Sequence, residues 1–171
     1  MSVLITGASR GIGRSIALNL ADDHDIAANY RDSSDAANDV INAIEKDGGN
    51  AIAVQGDVRD PEDVDSMITE IIDEFGELDG VVNNAGIVEP DLATEINDDQ
   101  WNRVLDTNLT GAFYVTRAAI PYLEPDGDVI FISSIGGTGG TVDASYAASK
   151  AGLHGLTRSL AREYGDSGLQ V

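Results

Sequence analysis

The chain has no cysteine, one tryptophan and two histidines among its 171 residues. Without cysteine there is no disulfide framework and no thiolate metal site. Lysine is scarce as well, limited to Lys46 and Lys150. Ten bases face thirty acids, for a formal net charge of −20. So acidic a surface repels nucleic acid and anionic membranes and argues against both as partners. No apolar run reaches the roughly 18 residues that a spanning helix needs. The opening "MSVLITGAS" turns to glycine too early for a signal peptide, so the cytoplasm is the expected compartment. The acids are mostly aspartates, scattered through stretches such as "LADDHD" and "DVRDPEDVD". They read as an evenly solvated surface, not a disordered tail. Acidity with so little lysine is also the composition expected in a high-salt (halophilic) cytoplasm, where counterions screen self-repulsion.

What is present is alternation. Residues 3–5, 26–30, 51–55, 80–84 and 128–133 are short apolar runs that read as strands. Helical periodicity fills the gaps. One helix starts near Ile12, and another runs from about Ser34 to "DGG". A third opens at Asp60-Pro61, an N-cap followed by proline at the first helical position. A fourth follows Asn97 and continues, with a break or bend, to about Leu123; a fifth holds Tyr146 and Lys150 and extends to about Tyr164. Strands alternating with helices predict βαβ units and a mostly parallel sheet. The expected fold is α/β, a Rossmann-like doubly wound parallel sheet with helices on both faces. Residues 1–171 are expected to form one dinucleotide-binding domain. "GLQV" reads as the start of a sixth strand, so the domain is expected to lack its C-terminal strand and helix.

"TGASRGIG" (6–13) joins the first strand to the first helix, with Gly7, Gly11 and Gly13 spaced as GxxxGxG. Glycines there allow tight turns and bring backbone N–H groups up to a pyrophosphate at a helix N-terminus. Ser9, Arg10 and Ile12 belong to the same candidate loop. The second strand ends in "NYR". A carboxylate at that corner would bind the ribose hydroxyl of NAD, but Tyr30 and Arg31 stand there instead. With Arg10 they point to a 2′-phosphate, hence to NADP(H) over NAD(H). "GDV" places Asp57 and Val58 as candidates beside the adenine, and "NNAG" offers Asn84, Ala85 and Gly86 for close backbone approach.

Tyr146 and Lys150 are one helical turn apart, so a phenol and an ammonium can serve one small region. A cation beside a phenol favours its ionised form and fits it for proton transfer. Ser133 and Ser134 end the fifth strand at the rim of the sheet. Asn108 lies inside the fourth helical segment, where asparagine is mildly unfavourable; it either kinks the helix or holds a water. His24 reads as a loop residue, Trp101 as packing, and His154 as facing packing or a partner subunit. There is no metal-ligand cluster and no Ser–His–Asp pattern.

In order, "TGASRGIG", "NNAG", the asparagine of "DTNLTG", the serine pair and "YAASK" resemble the short-chain dehydrogenase/reductase family in its single-domain form. The resemblance spans residues 3–171. Within that family, "NYR", "NLTGAFYVTRAA" and "YAASKAGLHGLTRSLARE" are most similar to 3-oxoacyl carrier-protein reductases and acetoacetyl-CoA reductases. The resemblance implies that Tyr146 donates the proton, that Lys150 tunes it and holds the nicotinamide ribose, and that Asn108 binds a relay water. It implies a serine at the carbonyl oxygen. The family's Ser-x-x-Gly motif selects Ser134, while its usual distance to the tyrosine selects Ser133. One deleted residue in the loop 136–143 reconciles the two, and Ser134 is taken. The implied reaction is NADPH-dependent reduction of a 3-oxoacyl thioester carried on acyl carrier protein or CoA. The alternatives are a dehydrogenase for a sugar, steroid or other small alcohol, and a dinucleotide-binding fragment without turnover. The helices 98–123 and 146–164 are implied as the face of a homodimer or homotetramer.

Overall fold

A computed structural model describes residues 1–171. Five strands, β1 (Ser2–Ile5), β2 (Asp25–Tyr30), β3 (Ala51–Gln55), β4 (Leu78–Asn83) and β5 (Leu123–Phe131), form one sheet in the order β3-β2-β1-β4-β5. Every pairing is parallel. Side chains alternate across the sheet. Leu4, Ala27 and Val81 enter one core, and Val3, Ile5, Ile26, Ala28 and Val82 enter the other. Both faces are therefore apolar, as parallel strands require.

Helices cover each face. α1 (Gly11–Leu20) and α2 (Ser34–Lys46) supply Ala17, Val40 and Ile44 to one side. α3 (Pro61–Phe75) supplies Val64, Met67, Ile68 and Ile71 to the other. Each such fully buried aliphatic side chain contributes about 1.5–3 kcal/mol. The expected cap of α3 is present: the Asp60 carboxylate accepts from the Glu62 N–H at 2.9 Å, with Pro61 at the first helical position.

The long fourth helical segment is divided. α4 (Asp98–Leu105) and α5 (Gly111–Ala119) flank a π-helical turn over Asp106–Thr110. α5 passes into a 3-10 turn at Ile120–Tyr122, where Pro121 has no N–H to continue the ladder. Val115 and Ala119 of α5 pack beside α3. After β5 come the short α6 (Gly136–Gly139) and α7 (Ala144–Tyr164), the latter capped by Asp143, whose Oδ1 accepts from the Tyr146 N–H at 2.9 Å.

Several boundaries differ from the sequence expectation, most by one or two residues at a strand start. β5 starts at Leu123, which pairs with Leu78 ahead of a register shift, and it ends at Phe131. The last rung is Ile132 N–H to Asn83 O at 3.0 Å, so the serine pair lies beyond the strand. Asn84 has also left its strand, because its N–H goes to the Thr6 hydroxyl. Gln170 forms an isolated parallel bridge to Asp128 where a sixth strand was expected. No helix is long and apolar enough to cross a membrane.

Candidate active site

The sheet reverses its winding between β1 and β4, the position where open α/β sheets bind ligands beyond their C-terminal strand ends. A cavity of about 540 Å³ lies there. From the end of β2 to the end of β5 is three strand spacings, roughly 14 Å. That span suits a dinucleotide laid across the strand ends.

The floor of the cavity is the glycine loop. Gly7 and Gly11 have φ of +64° and +57°, in the left-handed region that glycine tolerates. Gly13 is required by space: a Cβ there would lie 2.5 Å from both the Gly7 carbonyl oxygen and Asn84 Nδ2. Gly7, Ser9, Arg10, Gly11 and Ile12 line the cavity, while Gly13 sits behind them against Asn84.

Three polar residues hold this loop. The Thr6 hydroxyl accepts the N–H groups of Asn84 and Ala85 at 3.0 and 2.9 Å. Asn84 Nδ2 donates back to Thr6 O at 2.8 Å and to Gly7 O at 3.2 Å. Buried Asn29 of β2 accepts from the Gly7 N–H at 3.2 Å and donates to Gly56 O at 3.1 Å. Asn29 and Thr6 had escaped the sequence reading. Their only signal was polarity at positions the fold buries, one inside β2 and one just after β1.

At the end of β2 the cavity is lined by Tyr30, Arg31, Asp57 and Val58, together with Asp32 and Ser33. Arg31 is not free. Its Nε lies 2.7 Å from Asp32 Oδ2 in an exposed pair. Asp57 is engaged by Arg59 through contacts of 2.5 to 3.0 Å, and this guanidinium holds the carboxyl below its usual range.

At the opposite end Ala85, Gly86, Tyr146 and Lys150 line the wall. Lys150 is 5 % exposed, and its Nζ donates to Ile132 O at 2.7 Å. That uses one of three ammonium protons. Desolvation lowers its pKa from the ordinary lysine value. The same nitrogen lies 5.9 Å from the centre of the Tyr146 ring.

Asn108 sits in the π turn and is 1 % exposed. Its Oδ1 accepts from the Ile87 N–H at 2.8 Å, and its Nδ2 donates to Ile87 O at 2.9 Å and to Ser149 Oγ at 3.1 Å. The Ser149 hydroxyl donates in turn to the backbone carbonyl oxygen of Tyr146 at 2.8 Å. The π turn thus ties the strand-4 loop to α7. A Cβ on Gly86 would meet Asn108 Oδ1 at 3.3 Å and Lys150 Nζ at 3.5 Å, so glycine lets these two groups share one space.

The serines are distinguished by their partners. Ser133 lines the cavity, but its hydroxyl bonds Lys150 O at 3.1 Å and His154 Nε2 at 2.8 Å. Ser134 is outside the cavity lining; its Oγ accepts from the Gly136 N–H at 3.1 Å and its proton is uncommitted. Ser134 Oγ and Tyr146 Cε1 each lie 3.4 Å from the place of a Cβ on Gly136. Ser134, the serine with a free donor, thus shares the neighbourhood of Gly136 with the tyrosine ring.

Comparison with known proteins agrees with this fold. The family model for short chain dehydrogenases matches residues 1–171. The 3-oxoacyl-(acyl-carrier-protein) reductase FabG of Staphylococcus aureus is 43% identical over 174 residues, covering 99% of this chain and 71% of the relative. Its counterpart in Staphylococcus epidermidis is 41% identical with the same coverage. Among solved structures, a dehydrogenase/reductase from Sinorhizobium meliloti superposes with a TM-score of 0.95 at 35% identity, over 99% of this chain and 69% of that one. A short chain dehydrogenase from Burkholderia cenocepacia, solved in complex with NADP, has a TM-score of 0.95 at 37% identity, over 99% of this chain and 71% of that one.

Proposed function

The chain belongs to the short-chain dehydrogenase/reductase family and is an NAD(P)-dependent oxidoreductase, and from that premise we propose that it reduces 3-oxoacyl thioesters to 3-hydroxyacyl thioesters with NADPH. The observation that carries the proposal is Tyr146 and Lys150 at one end of the cleft with Ser134, its hydroxyl proton uncommitted, close by, in a chain 43% identical to a 3-oxoacyl-(acyl-carrier-protein) reductase.

The residues present fit the cofactor. Gly7 and Gly11 open the loop floor, and Gly13 leaves room where a Cβ would strike backbone. Arg10, Arg31 and Ser33 are the groups available to a 2′-phosphate at the β2 corner. A reduced nicotinamide bound across the strand ends supplies the hydride.

The protein's part is orientation and proton transfer. Ser134 Oγ–H donates to the substrate carbonyl oxygen and fixes it toward Tyr146. The Tyr146 phenol delivers the proton that the oxygen needs as the carbonyl carbon is reduced. Lys150 has two ammonium protons beyond its bond to Ile132, one for the phenol side and one for the nicotinamide ribose. Asn108 Oδ1 keeps one lone pair beyond its bond to Ile87, and this is the acceptor proposed to hold a relay water beside Lys150.

The acyl group rides on acyl carrier protein or CoA. A homodimer or homotetramer is proposed through α4, α5 and α7, where Trp101 and Phe113 are exposed and Arg117 stacks 5.3 Å from the Phe113 ring centre. Gel filtration in molar salt returning a monomer would contradict that assembly. The activity is tested by NADPH oxidation with acetoacetyl-CoA in molar salt, beside a sugar and a steroid ketone. Thioester-dependent oxidation supports the proposal. Turnover only with the other ketones, or cofactor binding with no turnover on any of them, overturns it.

A further inference from the structure

The sequence marks His154 as facing packing or a partner subunit, yet it stands one turn beyond Lys150 on α7 with its Nε2 2.8 Å from Ser133 Oγ. Ser133 in turn lies 3.1 Å from the Lys150 carbonyl oxygen. The ammonium of that same Lys150 reaches back to the carbonyl of Ile132, the residue before Ser133. Two bonds therefore cross in opposite directions between the end of β5 and one turn of α7. Ile132 is itself anchored to the sheet through Asn83. A Cβ on the nearby Gly137 would come within 2.8 Å of the Lys150 carbonyl carbon, so the loop from β5 lies directly on this turn.

Proton counting fixes the histidine's part. Ser133 has one hydroxyl proton, and a backbone carbonyl can only accept. For both bonds at Ser133 to form, the hydroxyl must donate to Lys150 O and His154 Nε2–H must donate to the hydroxyl. The other neutral tautomer would take the serine proton and leave the Lys150 carbonyl without it. We propose that His154, in its Nε2-protonated form, is a positioning residue: it locks the Ser133 hydroxyl onto α7 and so sets Lys150 and the adjoining Ser134 relative to Tyr146. It touches neither cofactor nor substrate. The part assigned to Ser134 and Tyr146 rests on the ketoreductase proposal above; the tautomer and the lock do not.

The test combines variants with spectroscopy. His154→Leu keeps apolar bulk and removes the donor, whereas His154→Gln keeps an N–H near the position of Nε2. The expected result for His154→Leu is a fall in kcat of roughly ten- to a hundredfold, the scale of a sub-ångström to ångström misplacement, with NADPH affinity within about twofold of wild type. His154→Gln should recover most of that loss. In a Ser133→Ala background, His154→Leu should cost nothing further. An unaltered kcat in His154→Leu, or losses that multiply in the double variant, would overturn the proposal. Nitrogen NMR of the wild-type imidazole decides the tautomer without any turnover: a proton on Nε2 is expected, and a neutral ring protonated on Nδ1 overturns it. A wild-type protein inactive on thioesters but showing the Nε2 proton would sink the ketoreductase proposal while leaving the lock in place.

Discussion

The ammonium of Lys150 donates to the carbonyl oxygen of Ile132 at 2.7 Å, with no carboxylate as partner. α7 is thereby fastened to the chain just beyond β5 by the side chain proposed to serve the chemistry. The cost is a buried charge. Desolvation lowers the Lys150 pKa in the folded protein below its ordinary 10.5. Between the two values the unfolded chain binds more protons than the folded one, so this residue makes stability rise with pH across that window. Below the folded value its contribution is flat. Urea midpoints of wild type and Lys150→Met, taken from neutral to alkaline pH, should diverge in favour of wild type as pH climbs. A constant difference would contradict the burial argument.

Arg31 and Asp32 form an exposed ion pair beyond the end of β2, where the adenosine of the proposed cofactor would lie. A 2′-phosphate would compete with Asp32 for the guanidinium. Asp32→Ser is expected to tighten NADPH binding about two- to fivefold, the worth of one surface pair, and to leave NADH unchanged. Arg31→Ala should weaken NADPH selectively. Fluorescence titration with both cofactors reads this out, and equal changes for NADH and NADPH would refute a phosphate role for Arg31.

Asn108 satisfies both peptide groups of Ile87 and the Ser149 hydroxyl. Asn108→Ala would strand these partly buried groups at a cost of about 2 kcal/mol or more, a fall in Tm of roughly 4–8 °C. An unchanged Tm would mean that Asn108 serves only the proposed water.

Much of this was legible in the chain. The glycine spacing, the Asp60-Pro61 cap and the strand–helix alternation are local signals, and each led to the right element. The doubly wound parallel sheet followed from handedness and the strand–helix alternation, while the order β3-β2-β1-β4-β5 is known from the structure alone. What stayed hidden depends on residues far apart in sequence. Asn29 looked like one more strand position, because its partners Gly7 and Gly56 meet only after β2 is flanked by β1 and β3. Asp32 was passed over beside the more telling Arg31. Asn108 was read as a kink or a water site, and the π turn combines a local distortion with a clasp on Ile87 that no periodicity encodes. His154 looked inert because Ser133 is 21 residues away.

The net charge of −20 predicts salt dependence. Raising KCl from about 0.1 M to about 1 M shortens the Debye length from about 10 Å to about 3 Å and relieves self-repulsion. Tm should climb by several degrees over that range. A flat or falling Tm would remove the high-salt interpretation.

Tyr146→Phe deletes one oxygen atom at the centre of the proposed chemistry. NADPH affinity and acetoacetyl-CoA-dependent turnover should be measured on this variant beside wild type. Loss of turnover by roughly a thousandfold, with cofactor affinity within about twofold, is the expected result for the proton donor. Turnover that survives without the phenol would contradict the catalytic assignment on which the ketoreductase proposal stands.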